Sequence, residues 1–305
     1  MSHIPVLLDE VLQMLLPAGQ PIERAIDGTV GAGGHTKALL KAGVQAVLAF
    51  DLDPQAIELA RDRLSDYRGR VHLICDSYQS MQDHARQLAW DSVDAILLDL
   101  GVSSMQLDTA ERGFAFKHDG PLDMRFNKQS LYANAASIVN NASVDELADI
   151  FYRYGEERHG RRVARAIVEQ RPFETTQQLA DVIAAAIPKK MQGKNHPATQ
   201  VFQALRIAVN DELHVIEASL PLAIDLLRPG GRLAVISFHS LEDRIVKQVF
   251  KAASTAVVAP PGMASIEARR AVVRLVNRKP VTPSEAEIEH NPRSRSSKLR
   301  VVEKI

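Results

Sequence analysis

The sequence has one cysteine, Cys75, so no intrachain disulfide can form, and it has no Cys/His spacing that would hold structural zinc. A reducing, cytoplasmic setting is expected, and no metal site. It also lacks a long apolar run. Ser2 to Leu16 has no basic start and carries Asp9 and Glu10 inside its apolar stretch, so it reads neither as a signal peptide nor as a membrane span, and no span is readable further on. No internal repeat is readable. Net charge is absent as well, with 37 basic residues against 37 acidic, which at first argues against a nucleic-acid partner. The distribution says otherwise. Arg153 to Arg206 holds ten basic residues against five acidic, and Glu267 to the end again holds ten against five, so neutrality conceals two basic regions.

What is present is enough apolar material, 46% of 305 residues, for a packed core in one large domain or two unequal ones. Periodicity predicts strands over Arg24 to Val30, Val44 to Phe50, Val71 to Cys75 and Val93 to Leu100. Helices are predicted over Thr36 to Ala42, Pro54 to Leu64 and Ser80 to Trp90, with Asp53 as N-cap and Pro54 at the first helical position. This alternation is the signature of an α/β fold with a parallel sheet and right-handed crossovers. From Ser103 to about Ala198 the alternation stops and helical patterns dominate. Ser143 with Glu146, and Thr175 with Gln178, are capping boxes that open helices there. The pattern predicts a helical insertion of roughly 90 residues, the size of a small domain. After it come a long helix from about Thr199, a shorter one capped by Ser219 with Pro221 in its first turn, and a buried strand over Arg232 to Phe238. A helix over Leu241 to Lys251, a mobile stretch beginning near Ala259 and a closing strand over Lys298 to Glu303 complete the expectation.

In an open parallel sheet, ligands bind beyond the carboxyl ends of the strands. The run Asp27-Gly28-Thr29-Val30-Gly31-Ala32-Gly33-Gly34-His35 lies there, where glycines permit a tight turn and the next helix offers free N–H groups to an anion. Asp51, at the end of the following strand, is placed to pair with ribose hydroxyls. These features fit a dinucleotide and S-adenosylmethionine equally. The strand ends at Asp27 and Asp99 discriminate, because two carboxylates facing the cleft repel a pyrophosphate and attract the sulfonium and ammonium of S-adenosylmethionine.

Several runs also resemble one family. Ile4 to Glu10, Asp27 to His35, Leu97 to Ser104 with Gln106-Leu107-Asp108, and Gly120 to Arg125 are similar to the MraW (RsmH) family of bacterial 16S rRNA cytosine-N4 methyltransferases. Tyr154 to Arg158, His196 to Thr199, Phe202 to Ile207, Ser237 to Arg244 and Asn291 to Ser297 resemble it in the same order. The resemblance implies a Rossmann-like S-adenosylmethionine-dependent methyltransferase sheet over residues 1–105 and 200–305, with an inserted helical substrate-recognition domain over 106–199. It implies methyl transfer to N4 of a cytidine in the decoding region of 16S rRNA, within the small ribosomal subunit. Cofactor contacts would fall on Gly33, Gly34, His35, Asp51, Tyr78, Asp99 and Gln106. Tyr78 is placed to pack on adenine, and His35 to meet the methionine carboxylate through a neutral imidazole or its backbone N–H. Two departures stand out: Gln200 replaces an expected basic residue, and Val258 to Glu289 matches only loosely.

The amine of cytosine is a poor nucleophile because its lone pair is delocalised, so positioning is the main catalytic requirement. Asp99 or a nearby carbonyl is expected to accept a hydrogen bond from it. Where many amino-methyltransferases carry Asp or Asn, Pro, Pro and an aromatic, this chain has Asp99-Leu100-Gly101-Val102, so no stacking residue is assigned. Phosphate contacts are expected from Arg158, Arg161, Arg162, Arg165, Lys189, Lys190 and Lys194. Ser237, His239, Ser240, Glu242 and Asp243 either border the substrate or cap the next helix, as Ser240 with Asp243 would. A nicotinamide-dependent oxidoreductase and a non-enzymatic RNA-binding module are the competing readings.

Overall fold

Two units divide the chain: Met1–Gly101 with Leu213–Ile305, and Val102–Glu212 between them in sequence. The computed structural model describes residues 5–17, 19–193, 195–256 and 270–305. Ile4, Lys194 and the stretch beginning near Ala259 up to residue 269 therefore lie outside the described residues.

The first unit opens with α1 (Leu8–Leu15) and continues through β1 (Arg24–Asp27), α2 (Gly34–Lys41), β2 (Ala46–Phe50), α3 (Pro54–Arg63), β3 (Val71–Ile74), α4 (Met81–Gln87) and β4 (Val93–Asp99). The second unit contains α5 (Ser104–Asp108), α6 (Ala135–Asn141), α7 (Val144–Gly155), α8 (Gly160–Glu169), α9 (Thr176–Ala186) and α10 (Ala198–Asn210). The chain then returns through α11 (Glu212–Leu226), β5 (Leu227–Ser237), α12 (Ser240–Ser254), β6 (Val273–Leu275), α13 (Glu285–His290) and β7 (Lys298–Lys304).

Strand order in the first unit is β3-β2-β1-β4-β5-β7-β6. The first five strands are parallel, and β7 runs antiparallel to both β5 and β6. The chain therefore winds outward from β1 in one direction, then restarts at β4 on its other side. The reversal sits between β1 and β4, the point in such sheets beyond whose carboxyl ends ligands bind. Alternate residues feed opposite faces: Ile26, Leu48, Ile96 and Leu98 enter one core, and Ala25, Val47, Ala95 and Leu97 the other. Both faces are covered, which explains why these strands read as continuous apolar runs.

The helical unit has its own core, formed by Phe151, Val163, Ile167, Leu179, Ile183, Val201 and Leu205 among others. Its limits differ from those expected. The sequence places the end of the insertion at 199, but the apolar face of α10 packs into this core, so the unit extends to Glu212. Both expected capping boxes are present, Ser143 with Glu146 and Thr175 with Gln178.

Pro221 does not open a helix. It lies inside α11, which runs unbroken from Glu212 to Leu226. Ile216, Leu220, Ala223 and Ile224 form one buried stripe across it, whereas Pro221 itself is exposed. The carbonyl that loses its partner at the proline can therefore turn to water, and packing outweighs the lost bond. Ser219, the expected cap, is fully buried within the helix.

Candidate active site

The loop after β1 is held by its neighbours before any ligand is considered. The N–H of Gly28 donates to Leu97 O at 2.9 Å, and that of Val30 to Phe50 O at 2.7 Å, tying the turn to β4 and β2. Thr29 Oγ1 accepts from the Asp99 N–H at 2.6 Å. Gly33 adopts φ 78° as the N-cap of α2, a left-handed conformation that disfavours any residue with a Cβ. Gly34 is required for another reason: a Cβ there would lie 2.6 Å from Pro5 Cγ. No side chain caps α2, so its first N–H groups remain oriented for an anion.

Asp27 differs from expectation. It is 1% exposed, so it does not face an open cleft. Its Oδ1 accepts from the Thr29 N–H at 3.1 Å and its Oδ2 from Thr36 Oγ1 at 2.6 Å, joining the turn to the helix that follows. Burial nevertheless pushes its pKa up to about 6 despite these bonds.

Asp51 follows β2. Its two oxygens accept from the N–H groups of Gly31 and Asp53, each at 2.9 Å, and burial raises its pKa to about 6. Each oxygen keeps a further lone pair. Asp53 caps α3 as read from the sequence, accepting from Gln55 N–H at 3.0 Å.

Asp99 ends β4 and is the least satisfied of the three. Its Oδ1 is buried with no hydrogen-bond partner, and its Oδ2 lies 3.6 Å from His35 Nδ1. Burial, then the charges of Asp27 and Glu242, hold its pKa well above the usual carboxylate range.

His35 explains part of this arrangement. Its Nε2 lies 3.0 Å from Val6 O, and a carbonyl can only accept, so the ring proton sits on Nε2 and Nδ1 presents a bare lone pair to Asp99. Burial pushes the imidazole pKa down to about 4, which keeps it neutral. With the ring committed to Val6 and Asp99, only the His35 backbone N–H remains for a ligand anion. This separates the two roles the sequence left open.

Tyr78 opens a single 3-10 turn directly after β3 and packs its half-buried side chain against the core. Gln106 belongs to the helical unit, where it forms a capping box with Ser103: Ser103 N–H donates to its Oε1 at 3.0 Å, and its own N–H donates to Ser103 Oγ at 3.2 Å.

His239 is the N-cap of α12, with Glu242 completing the box, so the cap is His239 with Glu242 and not Ser240 with Asp243. Its Nδ1 lies 3.4 Å from the Glu242 N–H and its Nε2 3.1 Å from Glu242 Oε1. Glu242 is fully buried and accepts from the N–H groups of Phe238 and His239. Asp243 instead pairs with Arg300 at 2.6 Å. Val6, Thr29 and Thr36 also shape the strand-end site but were not singled out by sequence reasoning, because their contacts join segments far apart in the chain or across the turn. Glu242, named with Ser237 to Asp243, is placed there as the cap partner of His239.

In the helical unit, Arg158, Arg161, Arg162 and Arg165 line one open groove of about 630 Å³. Lys190 is exposed in a single 3-10 turn, Lys189–Met191.

Carboxyls crowded at strand ends suit a cationic ligand, and the uncapped start of α2 suits a ligand with an anionic end. Comparison with known proteins identifies the lineage. All of the chain, residues 1–305, matches the MraW methylase family. The chain belongs to that family. Three relatives carry the name ribosomal RNA small subunit methyltransferase H. The protein from Nitratidesulfovibrio vulgaris (strain DSM 19637 / Miyazaki F) is 49% identical over 99% of this chain and 86% of its own length. That from Citrifermentans bemidjiense is 50% identical over 99% and 98%. That from Magnetococcus marinus is 48% identical over 100% and 99%. The MraW relatives thus match this chain along both of its units. Among the described residues no helix is long and apolar enough to cross a membrane.

Proposed function

We propose that this MraW-family chain transfers a methyl group from S-adenosylmethionine to N4 of a cytidine in the decoding region of 16S rRNA, acting in the cytoplasm on the small ribosomal subunit. The observation that carries the cofactor half is Asp99, a carboxyl whose Oδ1 has no hydrogen-bond partner among the described residues and whose pKa is raised by burial and then by two acidic neighbours, Asp27 and Glu242. A cation relieves that repulsion, whereas a pyrophosphate would add to it.

S-adenosylmethionine supplies a methyl group made electrophilic by its positively charged sulfur. The N–H groups of Gly34 and His35, exposed by the turn at Gly33, would receive its carboxylate. The free lone pairs of Asp51 would take ribose hydroxyls, and Tyr78 would pack on adenine. The family resemblance adds Gln106 as a cofactor contact.

Asp99 also has the chemistry to act on the substrate. Ionised, it accepts a hydrogen bond from the cytosine amine and orients the nitrogen lone pair toward the methyl carbon. The methyl carbon would leave the cofactor sulfur, giving S-adenosylhomocysteine, as it joins the nitrogen, and the nitrogen must lose one proton. A carboxyl with a raised pKa takes that proton better than an ordinary one.

The test is to incubate the protein with small subunits lacking the modification and to analyse the nucleosides by mass spectrometry. N4-methylcytidine is the expected product. No methylated cytidine, or a methyl group on the ring carbon or ribose, would overturn the proposal. Calorimetry that finds NAD binding in place of S-adenosylmethionine would favour the oxidoreductase. An Asp99→Ala protein that binds both ligands and retains full turnover would remove Asp99 from the chemistry.

A further inference from the structure

We infer that the groove on α8 is a binding site for the backbone of single-stranded RNA, with Arg158, Arg162 and Arg165 on phosphates and Tyr152 on a base. The RNA identity rests on the methyl-transfer reading; the groove rests on its own geometry. Four guanidinium groups line it, and the only acidic residue in its wall is Glu169. Arg161 makes an ion pair with Asp145 at 2.8 Å, and both are largely exposed. Arg158, Arg162 and Arg165 have no carboxylate partner among the described residues, although other arginines of the unit, such as Arg125, Arg153 and Arg206, are paired.

This contrast distinguishes the groove from an ordinary solvated face. Val163, Ala164 and Ile167 anchor α8 in the core, so Arg161, Arg162 and Arg165 are presented from a fixed helix, and Arg158 from the short turn just before it. Arg162 and Arg165 are three residues apart on α8, neighbours on one helix face whose long side chains can reach successive phosphates of a strand. Ala186 forms part of the opposite wall, and Lys189 and Lys190 follow it directly and extend the positive surface. The α8 N-terminus has no side-chain cap and adds to the same field.

Tyr152 specifies the form of the RNA. It is 68% exposed on α7, and it lies seven residues after Asp145, on the α7 face that Arg161 reaches. An exposed ring on the helix that packs against α8 offers a base a stacking surface, which duplex RNA cannot use.

Fluorescence anisotropy of the full chain with a labelled single-stranded fragment of small-subunit rRNA, over a series of salt concentrations, tests this. The triple variant Arg158→Gln/Arg162→Gln/Arg165→Gln should bind at least tenfold more weakly and lower the slope of log affinity against log salt by roughly 2, at about 0.7 per lost phosphate contact. Tyr152→Ala should weaken binding about tenfold and leave the slope unchanged, because stacking releases no counterions. Unaltered hydrogen-exchange protection across Val102–Glu212, together with unaltered S-adenosylmethionine binding, will show that each variant is folded. Wild-type affinity and slope in the folded triple variant would overturn the proposal. So would displacement of the RNA by polyglutamate of matched charge as effectively as by unlabelled RNA, which would indicate an acidic protein partner. Wild-type RNA binding without methyl transfer would refute the function proposed above and leave the groove standing.

Discussion

Replacing Asp27 by asparagine should stabilise the protein at neutral pH while weakening its cofactor site. The carboxyl has a pKa near 6 in the folded chain against an ordinary 3.8, and burial is the leading cause. A raised folded pKa means that the folded state holds the proton more tightly than the unfolded state. Stability from this group is therefore complete below about pH 4 and is lost as pH rises through about 6. A shift of roughly two units corresponds to about 3 kcal/mol once both states are ionised, of which about 2 kcal/mol develops between pH 4.5 and 7.5. Asparagine can keep the geometry, with its Oδ1 on the Thr29 N–H and its amide donating to Thr36 Oγ1, and it removes the titration. Urea unfolding of wild type and Asp27→Asn at the two pH values should thus show the variant gaining about 2 kcal/mol relative to wild type on going to pH 7.5. At about 2 to 4 °C per kcal/mol, melting should show the same gain as about 4 to 8 °C. An identical stability difference at both pH values would refute the reasoning, because Asp27 would then carry no burial penalty. A gain at pH 7.5 accompanied by unchanged cofactor affinity would show that its charge serves no ligand.

The same carboxyls should make S-adenosylmethionine affinity fall as pH drops from 7.5 to 5.5, by about tenfold, since Asp27 and Asp51 take up protons near 6 and their attraction for a cation is lost; calorimetry should show a shallower fall for S-adenosylhomocysteine, which lacks the sulfonium charge. Gly33→Ala places a Cβ at φ 78° and 3.2 Å from Leu64, so a loss of about 1 to 2 kcal/mol in chemical unfolding is expected together with weaker cofactor binding. Phe151→Ala empties a fully buried site in the helical core and should cost about 3 to 5 kcal/mol; hydrogen exchange should rise across Val102–Glu212 while β1 and β4 keep their protection.

What the sequence made legible, and what it hid, follows one physical line. Asp53, Ser143 and Thr175 were readable as caps because each acts on an N–H two or three residues away. The parallel strands were readable because burial on both faces leaves a continuous apolar run. Pro221 was misread by the same local logic, since Ser219 and Pro221 imitate a helix start and only the stripe from Ile216 to Ile224 outweighs them. β6 escaped because three residues, Val273 to Leu275, carry no period of their own and become a strand only by pairing with β7. The Arg158 to Arg165 run was visible as charge, but not that three of its four arginines have no carboxylate partner among the described residues, which depends on where the carboxylates of the unit end up.

The strand-end site exposes the same limit and turns it into an argument about function. Gly33 and Asp51 could be proposed from spacing, but the state of Asp99 could not, because it depends on Val6, 93 residues earlier in the chain. The Val6 carbonyl fixes the proton on His35 Nε2, and that leaves Nδ1 bare opposite Asp99. A lone pair facing an ionised carboxylate is unfavourable, and burial and two acidic neighbours add to the cost. Packing alone would have replaced such a group with an apolar one. Its presence where β4 reaches the topological switch makes sense if a cation arrives to relieve it and a proton must afterwards be accepted. The repulsion gathered at Asp99 and the chemistry proposed for it thus have the same cause.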